Sequence, residues 1–354
     1  MKANNILIRR SKLNINYANQ GKLDVLDSLM NESIRVVNLY INIYWNSLLN
    51  GNCPKFSTTK VDTWLSARMQ QCLGKQALAI VKSQRKKKIK TKPVFNKSVI
   101  ELDERFVDIK FDENIFDIWV RLKSLGQGIQ IKLPSKKHKH FLKYYENKKW
   151  KLKKAIRLYK DSKGRFFIDA FFERETPEPK QFGEAVGIDI GYKKLLALSN
   201  GTCLGKTLEK VYEKISCKKQ NSKAYKRALQ ERDNIINREL NKLKLNTVAL
   251  IVVELLKNVK KNKRKEKKIS RKFMNKLQRW CYSKVLDKLQ RLCEETGIEL
   301  RFIDPAYTSQ RCSKCGVICK SNRKGEIYKC ACGNIMDADI NAARNILHLG
   351  VYSP

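Results

Sequence analysis

The spacing of hydrophobic and polar residues changes along the chain and divides its first half into three kinds of stretch. Residues 4–17 alternate loosely between apolar and polar positions, which predicts a strand. Residues 22–49 and 60–82 carry apolar side chains three or four positions apart, which predicts two helices. From about 97 to 176 the alternation returns, so this stretch is predicted to form strands.

Pro177 and Pro179 mark a linker, after which predicted strands and helices alternate. The predicted strands are 185–190, 194–199, 247–253 and 298–303, and the predicted helices are about 222–243, 270–296 and 338–348. Gly297 follows the second of these helices, at the position of a C-cap residue. The alternation predicts an α/β layer with a partly parallel sheet.

The net charge of the chain indicates what kind of partner the protein binds. The 354 residues include 75 Lys and Arg but only 34 Asp and Glu, which gives a formal charge of +41. Hydrophobic residues make up 42%, enough for packed cores, so the chain as a whole is not disordered. Nucleic acid supplies the dense negative charge that such a chain needs. A membrane surface is the rival partner, but no apolar run approaches spanning length. We expect a cytoplasmic protein, since the N-terminus lacks a secretory pattern.

Three acidic positions follow or interrupt apolar segments. Asp189 lies inside the apolar strand 185–191, and Glu254 ends the apolar run 247–253. Asp337 and Asp339 open the terminal helix. Each position also has an ordinary structural explanation: a hydrogen-bonded turn at Gly191, a solvent-facing strand end, and the favourable placement of acids at a helix start.

Taken together, these acids indicate catalysis by metal ions. Burying an unpaired carboxylate is unfavourable, and Asp and Glu oxygens are ligands that Mg²⁺ prefers. Carboxylates from separate elements can hold two Mg²⁺ ions about 3.5–4 Å apart, an arrangement that cuts phosphodiesters. Asp337 and Asp339 cannot share one helical face, so we assign Asp339 to the metal and Asp337 to capping or support of the site.

Five of the eleven cysteines lie close together near the C-terminus. Cys312 and Cys315 form C-x2-C, Cys330 and Cys332 form C-x-C, and Gly follows each pair. Four such thiolates predict a closed, structural Zn²⁺ site in a ribbon between the last strand and the last helix. Cys319 is an alternative ligand, and a set of free thiols is the alternative to a metal site.

The chain resembles the TnpB (OrfB) proteins of bacterial insertion sequences, which are similar to compact type V CRISPR effectors with a RuvC domain. Val186–Gly191, Ile251–Leu255 and the block from Thr308 to Ile346 carry the resemblance, which covers about half of the chain. The third block is the most specific. Leu255 departs from the acidic or amide residue that often follows the Glu in this family.

The resemblance implies an α/β plus β-barrel protein with an RNase H-like (RuvC) nuclease domain, in which Asp189, Glu254 and Asp339 are catalytic. It implies a wedge-type β-barrel with a helical recognition insert before the nuclease and a zinc ribbon inserted in it. The expected domains are a barrel at 1–20 and 93–180, a helical insert at 21–92, a nuclease domain at 181–307 and 336–354, and a zinc ribbon at 308–335.

The function implied is that of an RNA-guided, Mg²⁺-dependent DNA endonuclease that cuts double-stranded DNA beside a short recognition motif. Its guide RNA would come from the transposon end, with two Mg²⁺ and one structural Zn²⁺ as cofactors. A compact type V effector and a nuclease-inactive, guide-directed repressor are the alternatives. Less favoured are a transposase or guide-free nuclease and a non-enzymatic RNA-binding protein. Monomer and dimer stay open.

Basic runs at 85–92, 136–154 and 260–268 suit contact with nucleic-acid backbone, or a solvated surface. Aromatic residues inside the second run suggest stacking on bases. The predicted nucleic-acid contacts are Lys75, Gln76, Lys86, Lys87, Lys88, Lys149, Trp150 and Arg344. Arg344 follows Asp339 by about one turn and is a candidate clamp for the scissile phosphate.

Overall fold

The protein divides into two compact units. The structure, a computed structural model, describes residues 6–47, 61–87, 91–113, 115–256 and 280–352. One unit is Met1–Glu175 and the other is Thr176–Pro354. The division coincides with the predicted linker at Pro177, while the finer domain boundaries stay a prediction. None of the helices in the described ranges is long and apolar enough to cross a membrane.

The first unit combines two antiparallel sheets with helices. Its strands are β1 Ile6–Asn14, β2 Val99–Leu102, β3 Val107–Glu113, β4 Phe116–Leu122, β5 Ile131–Ser135, β6 Lys151–Lys160 and β7 Phe166–Glu175. Its helices are α1 Gln20–Ser47, α2 Ala67–Arg85 and α3 Lys139–Tyr145. One sheet has the order β1-β7-β6-β2 and the other β3-β4-β5. The wedge-type barrel itself stays a prediction.

The N-terminal strand pairs with the last strand of the first unit. Strand β1 runs antiparallel to β7 along its whole length, with Ile6 opposite Glu175 and Asn14 opposite Phe167. The sequence analysis expected this strand to join those of the region 97–176, and the pairing confirms it. Helices α1 and α2 bury their apolar faces in the same core as the strands, including the fully buried Tyr40.

The predictions for the first unit need two corrections. The helix predicted at 60–82 begins at Ala67 and ends at Arg85. Ser66 caps it, because its Oγ accepts a hydrogen bond from the Met69 amide at 3.2 Å, and serine is favoured at this position. A short helix, α3, also lies in a stretch predicted to contain strands only.

The second unit is built on a mixed five-stranded sheet, and a small three-stranded sheet lies in the same unit. The strands of this unit are β8 Glu184–Asp189, β9 Leu196–Leu198, β10 Cys203–Leu204, β11 Val248–Glu254, β12 Glu299–Ile303, β13 Arg323–Lys324, β14 Ile327–Lys329 and β15 Ile335–Asp337. Its helices are α4 Leu208–Ser216, α5 Lys223–Leu240, α6 Tyr282–Thr296 and α7 Ala338–Tyr352. The sheet order is β10-β9-β8-β11-β12, and β13-β14-β15 form a small separate sheet.

The predicted partly parallel sheet is confirmed. Strand β11 is parallel to both β8 and β12, whereas β9 is antiparallel to β8. Gly297 closes α6 in the left-handed region, with φ of 69°, as a C-cap glycine should. Helix α4 was not predicted, and residues 270–279 of the helix predicted at 270–296 lie outside the described residues.

Candidate active site

Two of the predicted acids lie side by side at one edge of the five-stranded sheet. Asp189 ends β8 and Glu254 ends β11. These strands are parallel and in register, with Val253 opposite Ile188. Their carboxyl ends therefore meet at the same edge, which is where sites form in open α/β sheets.

Helix α7 brings the third acid to this edge. Asp339 lies in its first turn. The helix packs so closely on β8 that a Cβ at Gly187 would lie 2.2 Å from the carbonyl oxygen of Ala343. Only a residue without a side chain allows this approach, so Gly187 helps to fix the distance between the helix start and the strand end.

Asp337 caps the helix that carries Asp339, as the sequence analysis expected. One of its carboxylate oxygens accepts hydrogen bonds from the amides of Asp339 at 3.0 Å and Ile340 at 3.2 Å. These amides are among those that a helix start leaves without an intrahelical partner. The cap therefore fixes the backbone at the position from which the Asp339 side chain leaves the helix.

All three acids line one cavity of about 580 Å³. Its other walls include Tyr192, Trp280, Thr308 and Arg323, together with backbone of the turn after β8. Among the described residues, a cysteine set is the only group of three or more candidate ligands whose donor atoms all lie within 4.8 Å of one another. The three carboxylates therefore line one cavity, but their oxygens do not all lie within 4.8 Å of one another.

The electrostatics of the cavity favour a cation. Burial and, to a smaller extent, the negative charges of Glu254 and Asp339 together raise the pKa of Asp189 to about 8. The cavity leaves part of the Asp189 surface accessible, but the surrounding protein still keeps most bulk water away from the carboxylate. Burial also raises the pKa of Glu254, against the opposing effect of its hydrogen bond from Thr308.

Basic side chains that the sequence analysis did not single out balance part of this charge. Arg323 pairs with Asp339 at 2.8 Å. Lys194, whose side chain is only 8% exposed, contacts Asp337 and lies 3.4 Å from Asp339. Burial alone would lower the pKa of Lys194, but the hydrogen bond to Asp337 and the nearby carboxylates raise it above its usual value.

The four predicted zinc ligands come together. Cys312, Cys315, Cys330 and Cys332 form the cysteine set, so the structure provides a site that could hold a metal ion. Burial by itself raises the pKa of Cys312, but hydrogen bonds from backbone amides and from Asn334 outweigh burial and lower it to about 6. The Cys319 thiol lies outside this set, 3.0 Å from the hydroxyl of Ser321.

Two buried asparagines of α7 tie the cysteine segment to the acid-bearing helix. Asn341 accepts from the Ser313 amide at 2.9 Å and donates to the carbonyl of Arg311 at 2.8 Å. Asn345 donates to the carbonyls of Thr308 and Arg311. Because Thr308 in turn holds Glu254, one hydrogen-bonded chain links the cysteine segment, the helix and the sheet edge.

The predicted nucleic-acid contacts are scattered. Lys75, Lys86, Lys87 and Lys149 are exposed, and Gln76 is half-buried beside a cavity of the first unit. Lys88 and the run 260–268 lie outside the described residues.

Two of these predictions meet contrary geometry. The Trp150 ring is 8% exposed, with Tyr144 at 5.0 Å and Arg174 at 4.9 Å, so it belongs to the core and the predicted stacking does not fit. Arg344 is exposed and donates to the carbonyl of Ser199 at 3.3 Å. Among the described residues, the guanidinium that lines the acid cavity is that of Arg323, not Arg344.

Comparison with known proteins supports the resemblance found in the sequence. The family "Cas12f1-like, TNB domain" matches residues 282–346. The CRISPR-associated endodeoxyribonuclease Cas12f1 of Sulfoacidibacillus thermotolerans is 54% identical over 72 residues, which are 20% of this chain and 17% of that protein. A TnpB-like protein of Aquifex aeolicus is 34% identical over 101 residues, 27% of this chain and 32% of that protein.

The fold extends the likeness over most of the chain. A Cas12f1 structure, solved with single guide RNA and target DNA, superposes with a TM-score of 0.63 at 16% identity and covers 93% of this chain and 83% of that one. The chain is similar to Cas12f1 and TnpB-like proteins. The resemblance stated from the sequence is thereby confirmed. The sequence matches span less than a third of the length of these two relatives.

Proposed function

We propose that this protein is an RNA-guided DNA endonuclease of the TnpB type, which hydrolyses phosphodiester bonds of target DNA with two Mg²⁺ ions. The observation that carries the proposal is the cavity that Asp189, Glu254 and Asp339 line together. Three carboxylates around one cavity of a protein with a charge of +41 suit a hard divalent cation and a polyanionic substrate.

The donor set fits Mg²⁺. All three candidate ligands offer carboxylate oxygens, and the raised pKa of Asp189 reflects burial together with nearby negative charge, which a divalent ion would neutralise. When bound, two such ions would activate a water molecule and stabilise the leaving 3′-oxygen. Asp189, Glu254 and Asp339 would hold the ions.

Other residues of the chain would position this machinery. The Thr308 hydroxyl donates a hydrogen bond to the Glu254 carboxylate and so orients it. Lys194 and Asp337 fix the start of α7 and hence Asp339. Arg323 lines the cavity with a guanidinium that is 32% exposed. It is therefore available to turn from Asp339 towards a phosphate, for which guanidinium geometry is well suited.

The proposed function also assigns a role to each segment of the chain. We assign 181–307 and 336–354 to an RNase H-like (RuvC) nuclease domain, supported by the mixed sheet with acids at the ends of β8 and β11. We assign 308–335 to a zinc ribbon, supported by the four clustered cysteines. The first unit would be the wedge-type barrel with its helical insert at 21–92.

The proposed partners are a guide RNA from the transposon end and double-stranded target DNA. Relatives named TnpB-like support the transposon origin, whereas the 54% identity to a Cas12f1 segment favours the alternative of a compact type V effector with an array-derived guide. A nuclease-inactive repressor is less favoured, because all three acids are present and line one cavity.

The test is reconstitution. The protein is expressed with its flanking genomic DNA, the RNA that co-purifies is sequenced, and the complex is mixed with Mg²⁺ and plasmid DNA that matches the guide. We expect cuts only in matched plasmid and only with the RNA. Cutting that is independent of RNA would favour a guide-free nuclease, and tight binding without cutting would favour the repressor.

A further inference from the structure

Besides Asp189 of the candidate active site, a further aspartate, Asp169 on β7 of the first unit, is buried. The side chain of Asp169 is 1% exposed. Its Oδ2 accepts one hydrogen bond from Arg10 at 3.2 Å, whereas its Oδ1 is buried and has no hydrogen-bond donor among the residues that the structure describes. Leaving a buried charged oxygen without a donor is unfavourable. The Oδ1 atom is therefore an acceptor that a ligand could satisfy.

Asp169 contributes to the wall of a cavity of about 730 Å³. The cavity lies between the second half of α2 and one face of the β1-β7-β6-β2 sheet. Arg10, Lys87, Lys97 and Arg157 also line it. This size falls within the range of about 300–1,000 Å³ that is typical of small-ligand sites. The cavity thus has two carboxylates in its wall, Asp169 and Glu101, with cations around them.

The pairing of the strands surrounds Asp169 with positive charge. Lys12 on β1 and Arg157 on β6 both lie directly opposite Asp169 in the sheet register. Arg157 is held by Glu101 at 2.6 Å, and Lys12 lies over the Phe167 ring at 3.5 Å from its centroid. Arg10 is 60% exposed, so it can turn away from Asp169 at little cost.

Aromatic rings lie on the same face of the sheet. Tyr159 is half-buried, lines the cavity and stacks on Phe167 with 5.6 Å between ring centroids. Flat rings combined with cations on a strand surface are the features that bind single-stranded nucleic acid. A planar base against Tyr159 would place its edge towards the wall to which Asp169 belongs.

We propose that this cavity binds one unpaired nucleotide of the guide RNA, and that Asp169 selects a base that carries an exocyclic amino group. A carboxylate only accepts hydrogen bonds, so it pairs with the exocyclic amino group of cytosine, adenine or guanine. Uracil offers only its N3–H, which lies between two carbonyl oxygens that the carboxylate repels. Arg10, Lys87 and Lys97 would contact the adjacent phosphates. The identity of the RNA rests on the proposed function, whereas the base preference does not.

The probes are fluorescein-labelled oligo(C), oligo(U) and oligo(dC) of about ten nucleotides, bound to the full-length protein in roughly 0.3 M salt to weaken non-specific contacts. We expect oligo(C) to bind roughly tenfold more tightly than oligo(U), and Asp169→Asn to reduce this ratio to about one. The asparagine amide can present either a donor or an acceptor, so it tolerates both bases. An unchanged ratio in Asp169→Asn would overturn the proposal.

Two further cavity variants and one control variant keep the test decisive if Asp169→Asn folds poorly. Tyr159→Leu removes the ring but keeps an apolar side chain, and should weaken both RNA probes about fivefold. Lys97→Gln should weaken both probes about threefold without changing the ratio of their affinities. Lys132→Gln changes another exposed lysine, on β5, and should alter neither the affinities nor their ratio. If Lys97→Gln and Lys132→Gln weakened oligonucleotide binding equally, the cavity would not be the binding site and the proposal would be overturned.

The same binding experiment, combined with a cleavage assay, distinguishes failure of this proposal from failure of the proposed nuclease function. Asp189→Asn should keep the full preference for oligo(C), because Asp189 belongs to the other unit. A base preference that depends on Asp169 in a protein that cuts no DNA would support the site and refute the nuclease. DNA cleavage by a protein without this base preference would support the nuclease and refute the nucleotide site. Binding of oligo(dC) as tight as that of oligo(C) would reassign the site to single-stranded DNA and overturn the guide-RNA assignment.

Discussion

Each unit places one aspartate in an apolar strand, but the two carboxylates have opposite surroundings. Asp189 faces Glu254 and Asp339, and these acids contribute to a pKa raised to about 8. Asp169 has the cations of Lys12 and Arg157 on the neighbouring strands. The first setting calls for an added cation, whereas the second calls for a neutral hydrogen-bond donor.

The comparison shows that an acid in an apolar strand indicates a site but not its ligand. The segments Val186–Ile190 and Phe166–Phe171 look alike, since each is apolar with one aspartate inside. What distinguishes them is the charge that other strands and helices bring to each carboxylate.

Removal of the charge at Asp189 should have the largest effect. We expect Asp189→Asn to lower the single-turnover rate of DNA cleavage about a thousandfold or more, because the amide is a poor ligand for Mg²⁺. Guide-RNA binding should stay unchanged. The control is Glu213→Gln, an exposed acid of α4, which should cut at the normal rate. Residual cleavage within tenfold of normal would remove Asp189 from the metal site.

Loss of a proposed zinc ligand should have the next largest effect. Arg323 begins the small β13-β14-β15 sheet of the cysteine segment and lines the acid cavity. We expect Cys315→Ser to reduce bound zinc from about one per chain to none and to slow cleavage about a hundredfold. The measurements are metal analysis and cleavage rate.

Cys319→Ser is the matched control for the zinc ligand, because its thiol lies in the same segment but outside the set of four. This variant should retain zinc and activity. Zinc loss in Cys319→Ser, or full zinc content in Cys315→Ser, would mean that the cysteine set is assigned wrongly.

The sequence predicted the parts of the site that depend on local patterns. An apolar run that ends in an acid, a helix that opens with two acids, and two closely spaced cysteine pairs are each visible within about ten residues. The glycine cap at Gly297 was predicted for the same reason and is confirmed. The meeting of Asp189 and Glu254 at one sheet edge follows from parallel strand pairing, a general rule of such sheets, whereas Asp339 reaches this edge through the packing of α7.

The parts that the sequence analysis missed depend on contacts between distant residues. Lys194 meets Asp337 across 143 positions, and Arg323 comes from the cysteine segment. Nothing near either residue in the sequence marks it as a partner of an acid. Trp150 shows the opposite error, since a tryptophan among lysines suggested an exposed ring, but tertiary packing buries it.

The lysines beside the acid cavity should contribute to the free energy of unfolding to different extents, because their side chains differ in burial. Lys194 is 8% exposed and contacts Asp337, so Lys194→Met leaves the half-buried carboxylate of Asp337 without this cation. We expect this variant to lower the free energy of unfolding by about 2–3 kcal/mol in urea denaturation of the RNA-free protein without Mg²⁺.

Its neighbour provides the control. Lys193 pairs with Glu326, but both side chains are about half exposed, so Lys193→Met should change stability little. Equal losses for the two lysine variants would contradict the difference in burial. A stable Lys194→Met protein would mean that Lys194 does not hold the start of α7.

The smallest expected effect is that of Arg10, the cation paired with Asp169. Arg10 is 60% exposed and its hydrogen bond is 3.2 Å long, so solvent already weakens the pair. We expect Arg10→Gln to lower the free energy of unfolding by only about 1 kcal/mol, since Lys12 and Arg157 keep Asp169 in a positive environment. Arg68→Gln, an exposed arginine in the first turn of α2, should cause no loss. If Arg10→Gln instead destabilised the protein as strongly as Lys194→Met, Arg10 would be a fixed structural partner of Asp169. It could then not turn away to admit a base, and the contrast between the two aspartates would be one of stability rather than of ligand.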